Sequence, residues 1–215
     1  INTTGELLVI HDQVVEEKHI PSITLEEFYA LDISKSEKFG THYSAQKPPI
    51  LEEMITQILK GSTPLLEYKR DFQDPEKSAE RAAYALVELL AQKGWSNKVV
   101  VQSFDIQFLA YVRTIAPDIT LGWLMTDDVV QHIDTIEKEL NPEIIGWQRH
   151  QLTKENIEWL QGRSDARIWA WYGGEDKSND PAYTLDMINI GIHGIITDHP
   201  AEAKTVLKWH KSQHP

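Results

Sequence analysis

The chain predicts an α/β fold in which a parallel sheet lies under helical cover. From residue 65 onward, short strand-forming runs alternate with amphipathic helical stretches six times in direct succession. Such alternation implies parallel pairing through crossover helices. The spacing is regular and the strands are short, which suits one domain of 215 residues rather than two. No Gly-x-Gly-x-x-Gly follows a strand and no Walker motif is present, so the dinucleotide and nucleotide-triphosphate sheets gain no support. A closed (β/α)8 barrel takes eight units and typically about 250 residues, so the repeat stops roughly 40 residues and two units short of one.

Thr3-Thr4-Gly5-Glu6 reads as a turn and Leu7 to Asp12 as a strand leaving it. From Ile23 to Leu31 apolar residues recur at helical spacing, with Thr24 placed to cap the helix and Glu27 three positions on. Residues 32–49 are polar and contain proline, hence loop; Leu51 to Leu59 forms the next helix, stopped at Gly61. The first repeat unit is a strand over 65–69 and a helix from Pro75 to Gly94. Lys98 to Phe104 is a strand and Ile106 to Ile115 a helix that ends before Pro117. Further strands are expected at Thr120–Met125, Glu143–Trp147, Ala166–Tyr172 and Gly194–Asp198. Their helices fall at Val129–Leu140, Lys154–Leu160, Pro181–Asn189 and Ala201–Trp209, after which a polar tail is expected to fray.

Composition narrows the chemistry. With no cysteine, disulfides, thiol catalysis and cysteine-ligated zinc are excluded. A net charge of −12 repels a phosphate backbone over most of the surface, so nucleic acid is not an expected partner. An anionic small substrate stays possible where a local cation offsets that field. No apolar run approaches 18 residues, so no membrane span is expected. Beginning at Ile1 without methionine, the chain reads as a processed or truncated product, and its compartment stays open between the cytoplasm and an exported location.

The most informative stretch is Pro64 to Lys69. Side chains alternate along a strand, so Glu67 and Lys69 share one face about 6.6 Å apart while Leu66 and Tyr68 point the other way. Opposite charges at the C-terminal end of a strand suit the place where α/β folds put their sites, although a surface pair on an edge strand has the same pattern. His11 and Asp12 end the first strand; histidine exchanges a proton nearest neutrality and Asp12 would orient it, against the plainer alternative of an exposed turn. His19 and His42 lie in polar loops and are expected to be solvated. Ser103 lacks a Gly-x-Ser-x-Gly elbow and is expected to bond near its strand end, with Phe104 as an apolar wall. Trp123, Trp147, Trp169 and Trp171 fall near strand ends, as one side of a pocket or as stacked core. Gly173-Gly174-Glu175-Asp176 reads as a flexible acidic loop, and Asp198 as a cap for the last helix.

In order along the chain, Gly5 to Asp12, Ser22 to Glu27, Leu31-Asp32, Pro49 to Glu53, Leu65 to Lys69, Val99 to Phe104, Ile168 to Trp171 and Gly191 to Pro200 resemble the glycerophosphodiester phosphodiesterase family. The resemblance covers nearly the whole chain. It implies a TIM-type (β/α)8 barrel, here incomplete with six of eight strands and with His11 on an extra hairpin strand. It implies hydrolysis of a small-molecule phosphodiester, a deacylated phospholipid, to glycerol 3-phosphate and an alcohol with a divalent cation, Ca2+ or Mg2+. His11 matches the second of the family's two histidines, Glu67 a metal ligand and Lys69 the lysine beside the phosphate; Phe104 and Trp171 are the expected substrate-pocket residues. The family's His-Arg-Gly strand, Glu-Asn pair and Glu-x-Asp strand have no counterpart, and the stretch from Gln13 to Ser22 is short and lacks the usual Arg-Thr-Thr. The absent segment is expected to be disordered, cleaved or supplied by a partner. Two other readings stay open: a non-catalytic remnant of the same barrel, and a glycoside-processing barrel, which would need a second strand-end carboxylate opposite Glu67.

Overall fold

A computed structural model describes residues 1–34, 40–44, 46–126, 132–172 and 180–213. Within it the chain forms two compact units, one of Ile1–Val101 with Gln107–Ile119, the other of Gln102–Ile106 with Thr120–Pro215.

The first unit opens with an antiparallel hairpin, β1 (Val14–Val15) and β2 (Lys18–His19), turned by Glu16 and Glu17, both at positive φ (49° and 64°). Helix α1 (Leu25–Tyr29) follows, and the expected cap forms in full: Thr24 Oγ1 accepts from Glu27 N–H at 3.3 Å and Glu27 Oε2 accepts from Thr24 N–H at 2.8 Å. Ile20, Ile23, Phe28 and Leu31 bury together beneath this helix, with Leu8, Ile10 and Val15 against them. After α2 (Leu51–Ile58) come strand β3 (Leu65–Tyr68) and the long helix α3 (Pro75–Lys93). That helix buries Ala79, Ala82, Ala83, Leu86 and Leu90 and stops at Gly94 in the left-handed region (φ 65°). There Gly94 N–H bonds Ala91 O and Trp95 N–H bonds Leu90 O, a Schellman closure that needs a residue tolerant of positive φ.

The remaining elements are β4 (Val100–Ser103), α4 (Ile106–Ile115), β5 (Thr120–Met125), α5 (Ile133–Leu140), β6 (Ile144–Gln148), α6 (Lys154–Gln161), β7 (Arg167–Trp171), α7 (Pro181–Asn189), β8 (Gly194–Ile196) and α8 (Pro200–Gln213). Strands β5 to β8 are parallel neighbours in sequence order. Six strand–helix units in that order are the α/β barrel class, with six of the eight strands among the described residues.

In the second unit the registers Ile145↔Ile168 and Trp147↔Ala170 put those four residues on one face, all buried. Gly146↔Trp169 and Trp169↔Gly194 define the other face, where the two indoles of β7 lie over glycines. A Cβ at Gly194 would come within 2.8 Å of the Trp169 ring, and one at Gly146 within 2.7 Å of Leu124 and 3.6 Å of Trp171.

Two expectations need correction. Leu7 to Asp12 is not a strand, and His11 does not lie on the hairpin: among those residues only Leu8 forms a bridge, antiparallel to Ile50. The apolar run made the segment look like a strand, but its backbone is held instead by Val9 N–H to Pro49 O and Leu51 N–H to Leu7 O. The polar tail also stays helical to Gln213, because lysine and glutamine are good helix formers without burial. The Gly173–Asp176 loop and the expected helix start at Val129 fall outside the described residues.

Gly194→Ala is expected to destabilise the protein by about 1 to 3 kcal/mol through overpacking against Trp169. Gly61→Ala, where nothing lies within 4 Å of an added Cβ, serves as the control. Urea midpoints that shift equally for both would show that the Trp169 contact does not constrain β8.

Candidate active site

Strand β3 presents its charges because of what it buries on the opposite side. The Tyr68 ring stacks on Phe108 at 4.1 Å and 19°, and its hydroxyl lies 3.1 Å from Ser78 Oγ on α3. With Tyr68 fixed inward, strand alternation turns Glu67 and Lys69 to the other face, where both are exposed. The expected orientation of this pair is the observed one.

His11 reaches the same place from the irregular segment tethered to residues 49–51. Its Nε2 lies 2.9 Å from Lys69 Nζ, and its Nδ1 lies 2.7 Å from Asp12 Oδ1. An ammonium group only donates, so Nε2 must accept, and the imidazole then carries its proton on Nδ1 and donates it to Asp12. Asp12 thus orients His11. On either side of this contact the two segments are tied again: Gln13 Nε2 donates to the Arg70 carbonyl, and His19 Nε2 lies 3.3 Å from Asp71 Oδ1. His11, Asp12, Glu67 and Lys69 line one cavity of about 420 Å³ whose walls, including Leu66, Met54, Val101 and Phe108, are mostly apolar.

Among the described residues no group of three or more histidine or carboxylate side chains could hold a metal ion. Glu67, which makes no hydrogen bond or ion pair among the described residues, offers a single carboxylate, at most two oxygen ligands, where a hard cation takes six or more. The described residues on their own therefore do not fit a complete cation site.

Phe104 and Trp171 belong to the second unit and meet each other edge to face, with centroids 5.3 Å apart at 89°. Phe104 is exposed and Trp171 half-buried, an aromatic ledge at the C-terminal ends of β4 and β7. Trp123 and Trp147 are fully buried, so these two are core rather than rim. Ser103 behaves as expected, its Oγ accepting from Asp105 N–H at 2.9 Å. Asp198 does not cap the last helix by a described hydrogen bond; Thr197 Oγ1 takes the His199 N–H at 3.0 Å instead. His42 is exposed as expected, but His19 is not solvated: its side chain is 15% exposed and held by Ser22 and Asp71. Nothing in the polar composition of residues 16–22 distinguishes a histidine that turns inward, and its partner Asp71 is 52 positions away.

Lys69, Glu67 and an oriented His11 imidazole thus gather beside the end of β3, in a chain of the α/β barrel class. Comparison with known proteins makes this specific: residues 4–202 match the glycerophosphoryl diester phosphodiesterase family, and the chain belongs to it. It is 25% identical over 205 residues to the glycerophosphodiester phosphodiesterase of Caldanaerobacter subterraneus subsp. tengcongensis, a match covering 91% of this chain and 78% of that protein. The phosphodiesterase of Oleispira antarctica, solved with its product sn-glycerol-3-phosphate, superposes with a TM-score of 0.82 at 20% identity, over 97% of this chain and 82% of that one. A glycerophosphodiester phosphodiesterase of Parabacteroides distasonis gives 0.75 at 20%, over 95% and 79%. At these identities the structural likeness is one of fold.

The tautomer follows from the two contacts of His11 and can be observed directly. Long-range 15N correlation spectra are expected to show neutral His11 protonated at Nδ1, and Lys69→Met should move population to the Nε2 form. An unchanged tautomer ratio in the variant would mean that Lys69 does not engage the ring in solution.

Proposed function

We propose that the chain hydrolyses glycerophosphodiesters to glycerol 3-phosphate and an alcohol, with His11, Lys69 and Glu67 as its working groups. The observation that carries this reading is the His11–Lys69 contact at 2.9 Å, at the edge of a cavity that Glu67 also lines, in a member of this family. An entering phosphodiester offers Lys69 a negatively charged acceptor in place of a neutral ring nitrogen, and the charge-assisted bond is the stronger of the two. Transfer of the ammonium to the phosphate frees Nε2. The ring can then take up a proton from solvent at that nitrogen, with Asp12 accepting at Nδ1, and deliver it to the alkoxide as the P–O ester bond breaks and a water oxygen bonds to phosphorus.

Phe104 and Trp171 are proposed to contact the substrate through its apolar surface. The metal requirement, Ca2+ or Mg2+, is proposed with Glu67 as one oxygen ligand; such a cation polarises phosphoryl oxygens when bound. Because the described residues do not complete its site, the proton and phosphate steps above rest on His11, Asp12 and Lys69 alone. Dialysis against a chelator, followed by titration of Ca2+ or Mg2+, tests the requirement: hydrolysis unaffected by chelator overturns it. Glu67→Gln is expected to raise the cation concentration needed for half-maximal activity.

For the reaction itself, His11→Ala is expected to slow hydrolysis of an alkyl glycerophosphodiester by about 100- to 10,000-fold. A nitrophenyl diester, whose leaving group departs without a proton, should recover much of that loss. Equal slowing of both substrates would exclude His11 as the acid and leave it a residue that positions the phosphate.

A further inference from the structure

We propose that Ser22, His19 and Asp71 form a second, nucleophilic centre in which Ser22 accepts the acyl or phosphonyl group of an activated ester. Ser22 Oγ lies 2.8 Å from His19 Nδ1, and His19 Nε2 lies 3.3 Å from Asp71 Oδ1. The Asp71 carboxylate lies within ion-pairing distance of Nε2, and its negative charge favours the tautomer with the proton on that nitrogen, which leaves a lone pair on Nδ1. The hydroxyl of Ser22 is then the donor, and its proton already points at a base. A nucleophile bonded to a base that a third group orients is the recurring signature of an activated hydroxyl, recognised by geometry and roles rather than by sequence order.

The surroundings hold the three groups still. The side chains of His19 and Asp71 are 15% and 13% exposed, whereas Ser22 is exposed, so base and orienter are shielded and the nucleophile is accessible. His19 lies in β2, paired with Val14. Asp71 Oδ1 also accepts from Gln73 N–H at 2.9 Å, which sets the carboxylate plane. Ser22 ends the short turn Ile20–Ser22, clamped between the buried Ile20 and Ile23. The three residues are not those proposed for phosphodiester hydrolysis, and this inference does not depend on that reading.

In the step proposed, Ser22 Oγ bonds to the carbonyl carbon or phosphorus while the bond to the leaving group breaks. The serine proton passes to His19 Nδ1 and from there to the leaving oxygen. With an acyl group, water deprotonated by the same nitrogen then releases the acid and restores the serine.

A fluorophosphonate probe tests the proposal on the whole chain, because loss of fluoride leaves a stable adduct that intact mass and peptide mapping locate. The expected result is one adduct, on Ser22, absent from Ser22→Ala and formed at least tenfold more slowly in His19→Gln and in Asp71→Asn. His19 also holds the hairpin in place, so Asp71→Asn, which preserves shape and removes only the charge, is read alongside it with matched melting curves. Ser22→Ala should keep its glycerophosphodiester turnover. No adduct, an adduct on another residue, or labelling of Ser22 at the wild-type rate in Asp71→Asn would overturn the proposal.

Discussion

The candidate active site depends on the packing of Tyr68 against Phe108 and Ser78. At the end of the four-residue strand β3 the side chain between Glu67 and Lys69 decides which way both point, and that side chain stacks on Phe108 and bonds to Ser78. A register shift of one residue would drive Glu67 and Lys69 into the apolar layer and expel Tyr68. The cost of burying two charges far exceeds the gain from any surface contact of the tyrosine, so the register is strongly specified. The helix α3 that follows contributes Ser78 from its own buried face, so the first strand–helix unit fixes the polarity of its strand end.

The imidazole has no such scaffold. His11 belongs to a segment without strand pairing beyond the Leu8–Ile50 bridge, and its side chain is largely exposed. An exposed ion pair contributes little to stability, so the His11–Asp12 contact alone would not locate the ring. Location comes from the ties on either side of it, Gln13 to the Arg70 carbonyl and His19 to Asp71, which join the segments carrying His11 and Lys69. The site thus pairs one rigid element with one tethered loop, an arrangement that lets the loop-borne group adjust when an anion enters.

Much of this was legible in the sequence, for physical reasons that differ from place to place. The strand–helix units of the second unit could be read because β5, β6 and β7 each bury one face, and Thr120–Met125 and Pro181–Asn189 have their expected bounds. Glu67 and Lys69 could be read because charges inside a strand pattern are rare. The strand assigned to Leu7–Asp12 failed because apolar alternation reports burial and not hydrogen-bond partners, and here a tethered loop packs its apolar residues on α1. The inward turn of His19 was not legible at all, since it rests on a partner 52 positions downstream whose own neighbourhood is polar.

The hydrogen bond between Lys69 and His11 joins a cation to a neutral ring, and it sets the order of events in the proposed reaction. While the ammonium donates to Nε2, at 2.9 Å, the lone pair of that nitrogen is occupied. A phosphate anion offers the ammonium a charged acceptor in its place and so frees that lone pair. In the proposed reaction, substrate binding and the availability of Nε2 are in this way coupled through one lysine. Asp12, bonded to the opposite nitrogen, holds the ring in one orientation through both states, because Nδ1 donates to it whether or not Nε2 carries a proton.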